Sequence, residues 1–149
     1  MSILSAQTLF DLQPIHPFRD KYKFNGLSGG LSATTYDVAV AETFWMWPGR
    51  FKLASTMESF EMPNYVCATV HDKSTWARRG LFVQNTFIDP GWKGFLTLEL
   101  TMHGLKPIRI EAGTPIAQIL FHFLDEPTSN PYDGKYQHQE AGPVKPRES

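Results

Sequence analysis

Two short stretches of this chain collect residue types that can move protons and hold phosphates. The first runs from Thr86 to Leu100. It opens on Asp89-Pro90-Gly91, a strong turn signal, and continues as an alternating strand. Leu96, Leu98 and Leu100 point one way; Phe95, Thr97, Glu99 and Thr101 point the other. Glu99 therefore stands opposite the leucine row, a few residues after an acidic turn. A carboxylate there is either a solvated strand residue or a general base facing a pocket. The second stretch is Lys73-Ser74-Thr75-Trp76-Ala77-Arg78-Arg79-Gly80. It reads as about two helical turns stopped by glycine. Its three cations, two hydroxyls and helix N-terminus suit a polyphosphate. Ser74 and Arg78 are four apart and share a helix face. Taken alone, an exposed strand carboxylate and a solvated basic turn are the simpler readings.

Other chemistries are disfavoured by what the chain lacks. Zinc-dependent nucleotide deaminases need a pair of cysteines beside a His or Cys and a Glu, and Cys67 is the only cysteine. The five histidines, His16, His71, His103, His122 and His138, have no helical metal-binding spacing. No phosphate loop of the Gly-x-x-x-x-Gly-Lys kind occurs. A net charge of -1 supplies no global field for nucleic acid or an anionic membrane. A single cysteine, no apolar run of membrane length and no secretory leader make a cytoplasmic protein the expectation.

The elements that must hold these residues are short. The chain has 149 residues, 42% of them hydrophobic, enough for one domain with a core. Eleven glycines and eleven prolines leave little room for long helices. Ser5 caps a first helix that Pro14 ends. Residues 15 to 33 read as loop and irregular extended chain. Strands are expected at Ala33 to Ala41, Thr43 to Trp47, Phe51 to Met57, Tyr65 to His71, Leu81 to Phe87, Pro107 to Glu111 and Pro115 to Leu124, besides the Glu99 strand. From Glu126 onward polar residues dominate, so residues 126 to 149 form a tail that orders only against something else. About nine short strands and one short helix imply an all-β barrel or double sheet.

Taken together, these residues resemble the dCTP deaminase branch of the dUTPase-like superfamily. The resemblance rests on Tyr36-Asp37-Val38, Trp47-Pro48-Gly49-Arg50-Phe51 with Thr56-Met57-Glu58, and Lys73 to Arg78. It continues through Ile88-Asp89-Pro90-Gly91-Trp92-Lys93-Gly94 to Glu99, Gly113 with Ala117-Gln118, and Lys135-Tyr136 with Gln139. The glycine-rich C-terminal motif of trimeric dUTPases is absent, which favours the deaminase branch. The resemblance implies a single domain folded as a distorted jelly-roll, homotrimers with active sites between subunits, and residues 126 to 149 as a lid. It implies magnesium carried by the substrate triphosphate and no zinc. By position, Glu99 matches the general acid/base that activates water for attack at C4 of cytosine. Ser74 and Arg78 match residues that position that water and stabilise developing charge and the phosphates. Lys73 matches a phosphate-binding cation, Asp89 the acid beside the deoxyribose, and Trp92 an aromatic near the sugar. Thr75 and Thr86 are expected substrate contacts, and Tyr132, Lys135 and Gln139 match tail residues that close over the nucleotide.

The chain departs from the pattern in one main place. Leu81 to Asp89 is shorter than the family's equivalent, with the gap just after Thr86, and Phe87 stands where small or polar residues are usual. A short chain would suit a phage or mobile-element version. Hydrolytic deamination of dCTP to dUTP and ammonia is the first expectation. A dUTPase, or a bifunctional enzyme taking dCTP to dUMP and pyrophosphate, is the second, with Asp89 orienting water toward the phosphates. A non-catalytic nucleotide-binding regulator is the third.

Overall fold

A computed structural model describes residues 2–148. Its elements, in chain order, are β1 (Ser2–Ile3), α1 (Ala6–Leu12), β2 (Ile15–His16), β3 (Tyr22–Phe24), β4 (Leu27–Leu31), β5 (Thr35–Ala39), β6 (Phe44–Met46) and β7 (Phe51–Glu61). They continue as β8 (Val66–Asp72), α2 (Ser74–Ala77), β9 (Leu81–Val83), β10 (Phe87–Ile88), β11 (Lys93–Met102), β12 (Ile108–Ile110) and β13 (Pro115–Phe123). One sheet runs β10-β8-β13-β5-β4-β3 with β1 added to β13; a second runs β2-β7-β11-β9; β6 and β12 form a separate ribbon. Side chains from both main sheets, among them Val38, Val70, Ile119 and Phe121 from the first and Ala54, Leu98 and Leu100 from the second, bury themselves in one core. Among the described residues no helix is long and apolar enough to cross a membrane.

The strand that carries Glu99 folds as its alternation requires. Leu96, Leu98 and Leu100 are buried, while Phe95 and Glu99 keep part of their surface open. Thr97 is buried although it lies on the Glu99 face, because the tail covers it. β7 pairs with β11 in two registers. Phe95 faces Ser59 and Thr97 faces Ser55, so Thr56 to Glu58 bulge out between them. Thr56 stitches the bulge shut: its Oγ1 accepts from Leu96 N and donates to Glu58 O.

Three expectations need correction. Residues 15 to 33 are not a loop: β2 pairs with β7, and β3 and β4 form a hairpin. Its turn is Asn25-Gly26, both residues with positive φ, the pair that a two-residue hairpin favours. Leu81 to Phe87 is not one strand. β9 pairs with β11 and β10 pairs with β8, so residues 84 to 86 cross from one sheet to the other. Among the described residues the strands number thirteen rather than about nine, because several are two or three residues long.

The tail orders against its own chain. Gln139 forms a parallel bridge with Gly94, His138 N donates to Lys93 O, and Phe95 N donates to Gln139 O. Gly94 permits this approach: its φ is 146°, and a Cβ there would lie 2.6 Å from Gln139 N. Backbone and amide hydrogen bonds thus do for the tail what apolar burial does for the core.

Candidate active site

The Glu99 face of β11 opens into a cavity of about 350 Å³. Its floor is Leu96, Thr97 and Glu99 on β11, with Phe51 and Leu53 on β7. Thr86, Phe87 and Ile88 form one wall, Asp89 and Trp92 the corner, and Tyr132, Tyr136, Gln139, Val144 and Pro146 of the tail close the other side. No Lys or Arg lines it.

Glu99 is half-buried and lies directly across from Leu53. Its main chain accepts from Gln84 N, and Thr86 Oγ1 donates to its Oε2 at 3.2 Å. Asp89 is exposed, and its carbonyl accepts from Trp92 N to close the turn. Trp92 is buried against Phe60, and its Nε1 donates to Tyr136 O at 2.7 Å, so it ties the tail to the turn. Tyr132 N donates to Pro90 O, and its hydroxyl accepts from Tyr136 N. Gln139 is only 6% exposed; its amide donates to Phe95 O and Thr97 Oγ1, so these contacts anchor the tail.

The remaining candidates lie elsewhere. Ser74 and Arg78 are exposed on one face of α2, joined through Arg78 N donating to Ser74 O, and neither lines the cavity. Thr75, half-buried on the same helix, and Lys135, exposed beside the Tyr136 ring, also stay outside it. Lys73, expected as a phosphate-binding cation, is buried and already paired. It is 8% exposed and its Nζ donates to Asp37 Oδ2 at 2.6 Å. The other oxygen of that buried carboxylate, Asp37 Oδ1, has no partner.

Buried titratable groups surround this second locus. Glu58, 5% exposed, accepts from Ala39 N with both carboxylate oxygens. Burial pushes its carboxyl up to about 7, against the smaller opposing effect of that hydrogen bond. Burial also raises the Tyr36 phenol to about 12. Beside the cavity corner, burial raises the Cys67 thiol, and the Asp89 carboxylate adds to the shift. Among the described residues no group of three His, Cys, Asp or Glu could hold a metal ion.

Several lining residues were not singled out from the sequence. Leu53 lies across from Glu99 through a pairing that no local signal marks, whereas Phe51, across from Thr101, had one in the matched Trp47 to Phe51 run. Tyr136 had a signal, since it sits in the matched Lys135-Tyr136 pair. Val144 and Pro146 had none.

The model of the dCTP deaminase-like family matches residues 28–124. A dCTP deaminase, dUMP-forming, from Persephonella marina is 41% identical over 68% of this chain and 57% of its own length. A second protein of that name, from Aquifex aeolicus, is 41% identical over 67% and 56% respectively. The chain thus spans a little over half the length of these relatives. Among solved structures, the native EIAV dUTPase superposes with a TM-score of 0.61 at 21% identity, covering 81% of this chain and 96% of that one. That likeness establishes the fold, the all-β distorted jelly-roll expected from the sequence. The relatives' names overturn the order of the functional expectations. They specify dUMP as product, so formation of dUTP no longer stands first and the dUMP-forming alternative takes its place.

Proposed function

The chain belongs to the dCTP deaminase-like family, and from that premise we propose that it converts dCTP to dUMP, ammonia and pyrophosphate by two hydrolyses at one site. The observation that carries this reading is that one cavity is lined by two carboxylates of different character, Glu99 half-buried on a strand and Asp89 exposed on a turn. In the first hydrolysis Glu99 takes a proton from water and passes it to N3 as the hydroxide attacks C4 of the cytosine. Glu99 then takes the proton of the new C4 hydroxyl and hands it to the amine, so the C4 to nitrogen bond breaks as the C4 carbonyl forms and ammonia leaves. In the second, Asp89 orients another water toward the phosphate chain; the bond to the pyrophosphate breaks and dUMP remains. The tail, residues 126 to 149, acts as the lid that excludes bulk water.

The site is completed by a second copy of the chain in a homotrimer. A triphosphate needs cations, none lines the cavity, and Arg78 with Ser74 is exposed on α2. Ser74 and Arg78 from a neighbouring copy therefore supply the donors for the phosphates and for charge developing at the ring. Magnesium, bound through the substrate triphosphate, would supply charge screening for the phosphates. Among the described residues none fits the ion itself: the one unpartnered carboxylate oxygen near α2, Asp37 Oδ1, is buried beside the Lys73 ammonium, so the triphosphate is what would hold it.

The test is a product analysis. The protein is incubated with dCTP and magnesium, and separately with dUTP, and products are resolved chromatographically. dUMP, pyrophosphate and ammonia from dCTP, without accumulation of dUTP, are expected. dUTP as the end product from dCTP, or no turnover of dCTP, would overturn the reading.

A further inference from the structure

Residues 84 to 86 are all that connects β9 in one sheet to β10 in the other. Both ends of this crossing are pinned. Gln84 N donates to Glu99 O at 2.9 Å, and Thr86 O accepts from Val70 N at 3.0 Å. Thr86 is thereby suspended between the strand that carries Glu99 and β8. Its hydroxyl donates to Glu99 Oε2. Among the described residues no other side chain donates to that carboxylate, and Leu53, directly across the strand pair, is unable to.

We propose that Thr86 is a positioning residue for Glu99: its hydroxyl fixes one carboxylate oxygen so that the other is presented to the reacting water. The proposal rests on the reading of Glu99 as the deaminating base. The final torsion of a glutamate side chain is broad and has no strong preference of its own, so a hydrogen bond selects its orientation. A general base works only within hydrogen-bond reach of the proton it removes, and small misplacements are costly. A β-branched residue suits the task because its χ1 is stiff, so the hydroxyl is held ready rather than searching for its partner. The same bond revises the expected role of Thr86. A hydroxyl has one proton, and this one is engaged by Glu99, which leaves none to donate to the substrate.

The test compares Thr86→Val, which keeps the shape and removes the hydroxyl, with Thr86→Ser, which keeps the hydroxyl. In Thr86→Val, kcat for ammonia release from dCTP should fall roughly tenfold, the worth of a hydrogen bond to a charged group. KM should stay within about twofold, since the bond acts on the base and not on the ligand. The melting temperature should fall by no more than a few degrees, and Thr86→Ser should recover most of kcat. Crystal structures give a readout besides activity: the Glu99 carboxylate should leave its orientation in the valine variant and keep it in the serine variant. A rise in KM with kcat unchanged would make Thr86 a substrate ligand and overturn the proposal. So would a loss that serine does not rescue, or an unmoved Glu99 in Thr86→Val crystals. Wild-type protein that releases no ammonia would refute the functional reading, and the crystal comparison would still decide the role of Thr86.

Discussion

Glu58 and Glu99 lie on strands that pair with each other, yet their surroundings set them to opposite tasks. Glu58 sits on the bulge of β7, almost without exposure, with both oxygens turned to Ala39 N. Glu99 sits on the regular part of β11, half-buried, held by one hydroxyl and open to a cavity. The two cations that flank α2, Lys73 before it and Arg78 after it, divide in the same way. Lys73 is buried against Asp37, while Arg78 projects into solvent five residues later. Residue type therefore says little about role in this protein. A titratable group that is desolvated and tied to buried partners holds the fold, and one left with a free side is available for chemistry.

The sharpest way to break this comparison is to neutralise the exposed members. Glu99→Gln should reduce deamination by roughly a thousandfold or more, in line with loss of the group that carries the protons. Nucleotide binding, read by calorimetry with dCTP, should persist. Arg78→Ala should be inactive for a different reason, because it empties the neighbouring copy's contribution. If the two residues serve one site from different chains, co-expression of the two variants should restore about a quarter of wild-type activity, the share of sites that draw both intact residues at random. Mixed trimers with no recovered activity would mean that both residues act from the same chain, and the division between the two regions would lose its functional meaning.

Neutralising a buried member should instead act on stability. Lys73→Met leaves the Asp37 carboxylate buried with neither oxygen paired, a change that costs about 3–5 kcal/mol. Removing Asp37 as well, in a Lys73→Met, Asp37→Leu double variant, should return most of that loss. Arg78→Met should move stability by less than about 0.5 kcal/mol because the side chain is exposed. Urea denaturation of the four proteins measures this. Equal sensitivity at Lys73 and Arg78 would erase the distinction drawn between them.

How far this was legible in the sequence depended on the range of each interaction. The alternation of β11 is local, and Leu96, Leu98 and Leu100 are buried as it requires. The Ser5 cap is local too, and its side chain accepts from Thr8 N. Asn25-Gly26 was an equally local hairpin signal, outweighed by the glycines around it. The crossing at residues 84 to 86 was not legible, because nothing in Leu81 to Phe87 says that its two ends pair with different sheets. The fate of Lys73 depended on Asp37, 36 residues away. The docked tail was hidden for another reason: it is held by main-chain and amide bonds, which leave no apolar pattern. Of the candidate site, Thr86, Asp89, Trp92, Glu99, Tyr132 and Gln139 line one cavity, while Lys73, Ser74, Thr75, Arg78 and Lys135 do not. A single chain supplies no reason in its sequence for that split.

The smallest effect tests the buried glutamate by pH. Burial keeps Glu58 protonated in the folded protein up to about pH 7, whereas an exposed glutamate carboxyl ionises near its ordinary value of 4.5. Between those values the folded state holds a proton that the unfolded state has released. Stability from this group therefore falls as pH rises through that window and is level above it. The full cost above pH 7 is about 3 kcal/mol. Glu58→Gln removes the titration and keeps one oxygen to accept from Ala39 N, at a loss of about 1 kcal/mol for the second contact. The variant should thus be about 2 kcal/mol more stable than wild type at pH 8, and the advantage should vanish and then reverse slightly as pH falls below 5. Thermal melts across that range measure the difference directly, since other titrating groups contribute equally to both proteins. A constant gap, independent of pH, would mean that Glu58 is ionised in the fold and belongs with Glu99 rather than opposite it.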